Sequence, residues 1–367
     1  MDKHLSSEHG IICRLTGERL SYFGWPSVAR LNDGTLAAIS SGLRSQHTCP
    51  WGKTVLNTSQ DNGRTWSAPR VINDSPIDDR DAGIVHLGGG RLLVTWFAAD
   101  TRISAYDDWM RKWLGDAEIA DWKVTLDTWT DEIVRQNLGS WIMLSSDRGA
   151  TWSPKLHAPA STPHGPILLA NGDLLYLGKD AREMSTGQIL AARSRDAGHT
   201  WEVQGSVPFY PGTSAANYHE PHVVELPSGK LVGMIRIETA PDEKEMPAGL
   251  VNFSLMQTES SDGGFTWSEP RPMGFHGAPP HLLRHSSGTL VCVYGCRQPG
   301  YGQRAMLSYD DGATWDHDWI IRDDGPDWDL GYPASVEMED GSLFTVYYQK
   351  VPGDAKCSLL WSRWQLP

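Results

Sequence analysis

Six places in this chain of 367 residues set a residue nine positions before a turn glycine. They are Trp25 before Gly34, Asp81 before Gly90, Pro163 before Gly172, Glu220 before Gly229, Pro279 before Gly288 and Tyr332 before Gly341. Seven positions after the same glycines stand, among others, Phe97, Lys179, Arg236 and Tyr348, and four histidines, His164, His219, His222 and His281, crowd nearby. Carboxylates, a phenol, cations and imidazoles of this kind can move protons and hold a polar ligand if the fold gathers them at one mouth. For any one of the histidines taken alone, a hydrogen bond inside a crowded core is the simpler role.

The elements that must gather them are readable as repeats. Each glycine sits in a G-x-L turn between two β-like runs: WPSVARLNDGTLAAIS, DAGIVHLGGGRLLVTWF, HGPILLANGDLLYLG, EPHVVELPSGKLVGMIR, PPHLLRHSSGTLVCVYG and YPASVEMEDGSLFTVYY. Such a unit reads as two strands joined by a short turn. Interleaved with them are five S-x-D-x-G-x-T-W frames, ending at Trp66, Trp152, Trp201, Trp267 and Trp315. These predict hairpin turns in which Asp caps backbone N–H groups, Gly takes positive φ and Trp packs beneath. The expected fold is therefore all-β, a six-bladed β-propeller of four-stranded antiparallel blades with five Asp-box turns, spanning 1–367 as one unit. The sixth blade lacks an Asp box, so Cys357 to Gln365 should give its third strand and the chain start, about 10–15, its fourth, closing the ring. The turn glycines are spaced by 56, 82, 57, 59 and 53 residues. The long interval marks a helical insertion at about 98–138 in blade 2, to be read as a rim cap, an oligomer contact or a substrate lid. Antiparallel order places the residues counted above on the face opposite the Asp boxes.

Composition narrows the partners. With 32 Lys and Arg against 45 Asp and Glu, the formal charge of −13 leaves no basic stripe for nucleic acid or anionic lipid. Five scattered Cys fit neither a disulfide framework nor a zinc module, and MDKHLSSEHG lacks an apolar leader, so a reduced, cytoplasmic setting is expected. Neither HExxH, paired CxxC nor an EF-hand loop occurs, and no metal or other cofactor is expected.

Five Asp boxes interleaved with six strand pairs resemble the sialidase (neuraminidase) superfamily of glycosidases over essentially the whole chain. The resemblance implies a tyrosine nucleophile activated by a glutamate, three arginines clamping a sugar carboxylate, and an aspartate that protonates the leaving group. By it, Glu220 in NYHEPHVVEL corresponds to the glutamate, Arg236 in KLVGMIR to the second arginine and Tyr332 in DLGYPASV to the nucleophile. Arg304 in YGQRAMLSYDDG corresponds to the third arginine, with Arg297 as a competing choice. Physical chemistry agrees: a phenol of pKa about 10 needs a base, a neutral nucleophile avoids repulsion from an anionic sugar, and an arginine fork meets a carboxylate bidentately.

Two departures alter the expectation. Gly24, in Phe23-Gly24-Trp25-Pro26, stands where the resemblance asks for the first arginine, and the loop from Ser41 to Trp51 holds no aspartate. Arg44 could replace the lost arm and His47 the lost acid, with Asp81, in Asp78-Asp79-Arg80-Asp81, as the rival proton donor. Trp25, Arg80, Lys179, His164, His222 and His281 complete the expected substrate-binding set. The expected activity is exo-hydrolysis of a terminal acidic sugar from an oligosaccharide or glycoconjugate. The alternatives are lyase-type or histidine-dependent cleavage of uronate-containing oligosaccharides, and carbohydrate binding without catalysis. A homo-oligomer stays open.

Overall fold

Strands buried on both faces need near-continuous apolar runs, and Leu36–Arg44 and Leu343–Lys350 are of this kind: nearly every side chain is buried, because each sheet is sandwiched between its neighbours. The computed structural model describes residues 3–102, 108–183, 187–241, 243–247 and 249–367. Its strands form six antiparallel sheets, which are the six blades. Blade 1 comprises Tyr22–Arg30, Leu36–Arg44, Lys53–Ser59 and Arg70–Asn73, and blade 2 Asp78–His86, Leu92–Ala99, Gly139–Ser145 and Leu156–His157. In blade 3 the inner strand is split into Ala160–Ser161 and Ile167–Leu168, followed by Leu174–Asp180, Ile189–Ser194 and Glu202–Ser206. Blade 4 comprises Tyr218–Glu225, Leu231–Ile237, Ser254–Ser260 and Arg271–His276, and blade 5 Pro280–Arg284, Leu290–Cys296, Gly302–Ser308 and Asp316–Arg322.

Blade 6 takes Gly331–Glu337, Leu343–Lys350 and Cys357–Trp364 from the end of the chain and Ser7–Cys13 from its start, pairing Ser7 with Trp364 and Cys13 with Leu359. The closing strand thus lies slightly earlier than 10–15, and Lys3–His4 runs on as a parallel addition to the outer strand of blade 5.

The five S-x-D-x-G-x-T-W turns share one hydrogen-bond pattern. In the first, Gly63 N–H donates to Ser59 Oγ at 2.9 Å, Thr65 N–H to Asp61 Oδ1 at 2.9 Å and Thr65 Oγ1 to Asp61 Oδ2 at 2.6 Å. The fifth repeats it, with Gly312 to Ser308 at 2.9 Å and Thr314 to Asp310 at 2.8 and 2.6 Å. The glycines need positive φ, 85° at both Gly63 and Gly312.

Three helices interrupt blade 2 on the side away from these turns: α1 (Asp108–Leu114), α2 (Asp116–Leu126) and α3 (Asp131–Asn137). The stretch 103–107 of the expected insertion lies outside the described residues. Ile119, Trp122, Leu126, Trp129 and Val134 share one buried cluster with Ile77, Trp96 and Trp141 of the blade and with Cys49 of blade 1's loop.

Candidate active site

Four of the six inner strands begin with the same distortion. Trp25, Asp81, Glu220 and Tyr332 have φ of 51°, 47°, 48° and 52°, in the left-handed region that costs a non-glycine residue about 1–3 kcal/mol. At each, pairing with the second strand slips by a β-bulge: between Gly24 and Ser27, Arg80 and Gly83, His219 and His222, and Gly331 and Ala334. A bulge re-aims one side chain, and four at equivalent places turn four side chains toward the axis. The other two positions are Pro163 and Pro279, whose rings bar positive φ.

Tyr332 and Glu220 meet there. The Tyr332 hydroxyl donates to Glu220 Oε1 at 2.5 Å, and Arg236 Nη1 donates to Glu220 Oε2 at 2.6 Å and to the Tyr332 oxygen at 3.2 Å. Arg236 Nη2 donates to Glu238 at 2.5 Å. Burial, then the negative charge of Glu220, pushes the Tyr332 phenol well above its ordinary pKa. Burial would raise the Glu220 carboxyl too, but the Arg236 charge and the hydrogen bonds outweigh it and hold it below its ordinary value. The pair therefore rests as neutral phenol and carboxylate, with a base in place to take the phenolic proton.

The remaining cations divide. Arg297 lies beside Tyr332: its guanidinium is 5.6 Å from the Tyr332 ring centre and 5.2 Å from that of Phe253, which Arg236 also approaches at 4.5 Å. It is anchored by Nε to Leu330 O and by Nη2 to the Tyr348 hydroxyl, each at 2.9 Å. Arg304 is elsewhere; its guanidinium donates to the carbonyls of Gly300, Gln303 and Arg322. It belongs to the third strand of blade 5, two strands out from the axis, whereas Arg297 follows directly on the end of the second.

Arg44 does not replace the missing arm either. It is fully buried and spends Nη1 and Nη2 on Asp78 at 2.6 and 2.9 Å. A Cβ at Gly24 would stand in tight contact, 3.2 Å from the Tyr22 ring. Arg80, partly exposed, lies 4.3 Å over Trp25 and donates to the His47 carbonyl at 3.1 Å.

His47 is held by partners that the sequence did not announce. Its Nδ1 is 2.9 Å from Asp329 Oδ1, which also accepts from the Tyr22 hydroxyl at 2.9 Å, and its ring meets Trp25 edge-on at 4.9 Å and Trp328 at 5.9 Å. Burial lowers the pKa of His47, while bonding to His47 and Tyr22 overcomes burial at Asp329 and sets it at about 2. Asp81 is the opposite case. Burial drives its pKa up to about 7, with Arg80 opposing and Glu220 adding, and its Oδ1 is buried without a hydrogen-bond partner.

Asp81, Phe97, Lys179, His219 and Glu220 line a cavity of about 190 Å³. Lys179 is mostly committed, donating to Ala215 O at 3.1 Å and Tyr218 O at 3.0 Å, and burial lowers it to about 8. His164, His222 and His281 pack against one another with ring centres 4.4 to 5.7 Å apart, and burial keeps all three uncharged. His222 Nδ1 accepts from Leu282 N–H at 2.9 Å and His164 Nδ1 meets Ser27 Oγ at 2.8 Å. The three expected substrate-binding histidines are thus engaged chiefly with one another. Among the described residues no group of His, Cys, Asp and Glu has the geometry to hold a metal ion. A wider hollow of about 550 Å³ lies between the chain ends, lined by Trp319, Asp340, Arg363 and Trp364 and not by Tyr332 or Glu220.

Glu238 and Asp329 are partners of Arg236 and His47 that sequence reasoning missed. Glu238 stands two residues after Arg236, which period-two alternation places on the same side of an extended chain. Asp329 carried no comparable signal, because its partner His47 is 282 residues away.

None of the curated proteins compared with the chain matches it. Among solved structures it resembles a protein of unknown function from Dyadobacter fermentans, with TM-score 0.75 and 23% identity over 98% of both chains. It also resembles the NanB sialidase of Streptococcus pneumoniae, with TM-score 0.67 and 14% identity over 97% of this chain and 70% of that one. Trypanosoma rangeli sialidase, seen with 2,3-difluorosialic acid as a covalent intermediate, gives TM-score 0.64 and 15% identity over 97% of this chain and 59% of that one. The propeller is thus that of the sialidases. The BNR repeat-like domain family matches residues 119–345, more than half of the chain, and the chain belongs to that family.

Proposed function

We propose that the protein is an exo-acting, retaining glycoside hydrolase of the sialidase type, acting on a terminal acidic sugar. The observation that carries this reading is the Tyr332 hydroxyl donating to Glu220 at 2.5 Å, with Arg236 bonded to both. Tyr332 Oη attacks the anomeric carbon while its proton passes to Glu220. Asp81, still protonated near neutrality, gives its proton to the leaving-group oxygen as that bond breaks. Water then attacks the glycosyl-tyrosine, yielding its proton to the Asp81 carboxylate, and Tyr332 departs with the proton held by Glu220. Arg236 and Arg297 provide the positive field for the sugar carboxylate. Two arms remain where the family resemblance implies three.

A second reading rests on His47. A neutral imidazole that donates its Nδ1–H as a hydrogen bond to the Asp329 carboxylate has an unprotonated Nε2, the state of a base, which suits removal of the α-proton of a uronate followed by elimination. Purified protein tested on aryl α-sialosides, aryl uronides and unsaturated-product assays separates the two. The hydrolase reading expects aryl release that vanishes in Tyr332→Phe; a new absorbance from an unsaturated uronate, lost in His47→Ala, would replace it with the lyase.

A further inference from the structure

The loop that carries His47 is gripped from two sides. On the inner side, Arg44 Nη2 and Arg80 Nη1 both donate to the His47 carbonyl, at 3.2 and 3.1 Å, and Arg44 Nε donates to Gln46 O at 3.3 Å. A side chain at Gly52 would meet Arg44 and Asp78 at 2.0 and 2.1 Å, so the loop end lies flat on that ion pair. On the outer side, Trp51 Nε1 donates to Thr125 Oγ1 of α2 at 3.0 Å, and Cys49 is buried in the cluster that holds Trp122, Ile119 and Leu126. Arg19 caps the joint, 4.4 Å over the Trp51 ring and paired with Asp121 of α2 at 2.5 Å.

The helices are themselves fixed to the blade. Trp122 is fully buried, Trp141 Nε1 donates to Asn137 O at 2.9 Å and Lys155 Nζ to Asn137 Oδ1 at 3.0 Å. A lid that opened would have to expose those tryptophans and break both bonds at the root of α3.

We propose that the helical insertion is a fixed brace that sets the position of His47 through the Trp51–Thr125 contact, and that Trp51 and Thr125 are positioning residues. The inference rests on the functional reading above only for its effect on turnover. The groups facing His47 are Asp329 and Tyr22 by hydrogen bond, Arg80 and Arg297 by charge, and Trp25 and Trp328 by ring contact. A loosened loop exposes the imidazole to water and lengthens its bond to Asp329.

The test compares wild type with Trp51→Phe, which keeps a ring but loses the donor, and Thr125→Val, which keeps the shape but loses the acceptor. Two quantities are read: the titration of His47 by imidazole NMR, assigned with His47→Ala, and kcat and KM across pH. The brace predicts a displaced His47 titration in both variants, kcat lower by about tenfold and KM changed by less than about twofold, as expected for misplacement without lost binding. An unchanged His47 titration in folded variants overturns the brace, whatever the activity. An effect on KM alone also overturns it and restores the lid. If wild type cleaves none of the glycosides, the functional reading fails and the NMR titration still decides the brace.

Discussion

A phenol buried against a carboxylate is hard to ionise outright but easy to deprotonate at the moment it attacks, and that is the state in which Tyr332 rests. Replacing it with Phe removes the proposed nucleophile yet leaves Glu220 paired to Arg236, so turnover should fall by about a thousandfold or more while the melting temperature stays within a few degrees. Retained turnover would take Tyr332 out of the mechanism. Asp81 offers a check that needs no substrate. Its folded pKa is about 7, above the ordinary carboxylate value of 3.8, so its ionisation opposes folding; this cost is absent below about pH 4 and grows as pH rises to 7. Asp81→Asn should therefore raise the melting temperature at pH 8, with a gain that shrinks toward pH 4; an equal effect at both pH values would mean the carboxyl is not strained. As the acid, Asp81 should also matter most for substrates with poor leaving groups, and kcat/KM should decline above about pH 7 in wild type. If Asp81 is the donor, His47→Ala should slow activated aryl glycosides and poor leaving groups equally, by about tenfold, as loss of a positioning group and not of the acid. That Glu220, Arg236 and Tyr332 come together could be read from the sequence, because their offsets to the turn glycines recur from blade to blade. Arg304 misled because a motif near an Asp box says nothing about which strand of the blade faces the axis.

At the scale of elements, one short segment does several jobs. Trp328 flanks His47, Asp329 holds it, Leu330 O anchors Arg297, and Tyr332 begins the inner strand of blade 6. Neither its backbone carbonyl nor its long-range partners leave a trace in local sequence, whereas the turns do. In those turns Asp61, Asp147, Asp196, Asp262 and Asp310 are all held at about 2, mainly by the Thr that directly precedes the Trp, although burial at Asp196 works against this. Depressed folded values mean stability that is present above about pH 4 and lost as pH falls toward 2. Substituting Asn for Asp310 should lower the melting temperature at pH 7 and make the loss between pH 4 and 2 shallower; an unchanged acid profile would show that the turn carboxylates do not set it. The insertion was legible as helix from its periodicity, but its attachment to the His47 loop was not, since Trp51 and Thr125 are 74 residues apart.

For the whole molecule, the ring depends on one seam. Blade 6 draws its outer strand from the start of the chain, and Gly10 lies so close to Trp361 that a Cβ would come within 2.4 Å of the indole. Gly10→Val should unseat the closing strand and lower the melting temperature by a few degrees without altering KM, because the seam lies at the outer edge of the blade; an unchanged transition would show that the ring does not need it. The repeat count and the closure could be read from spacing alone, because each blade must supply one strand to the axis. Which of the axial residues would face a ligand and which would interlock, as His164, His222 and His281 do, depends on packing between blades that no single repeat encodes.

The central claim is a covalent glycosyl-tyrosine, and peptide mass spectrometry tests it most directly. The glycoside that the protein cleaves is given a fluorine beside the anomeric centre to slow hydrolysis, incubated with the protein, and the adduct is mapped after proteolysis. The account predicts one sugar on the peptide containing Tyr332 and none in Tyr332→Phe. Turnover without any adduct, or an adduct on another residue, would contradict it.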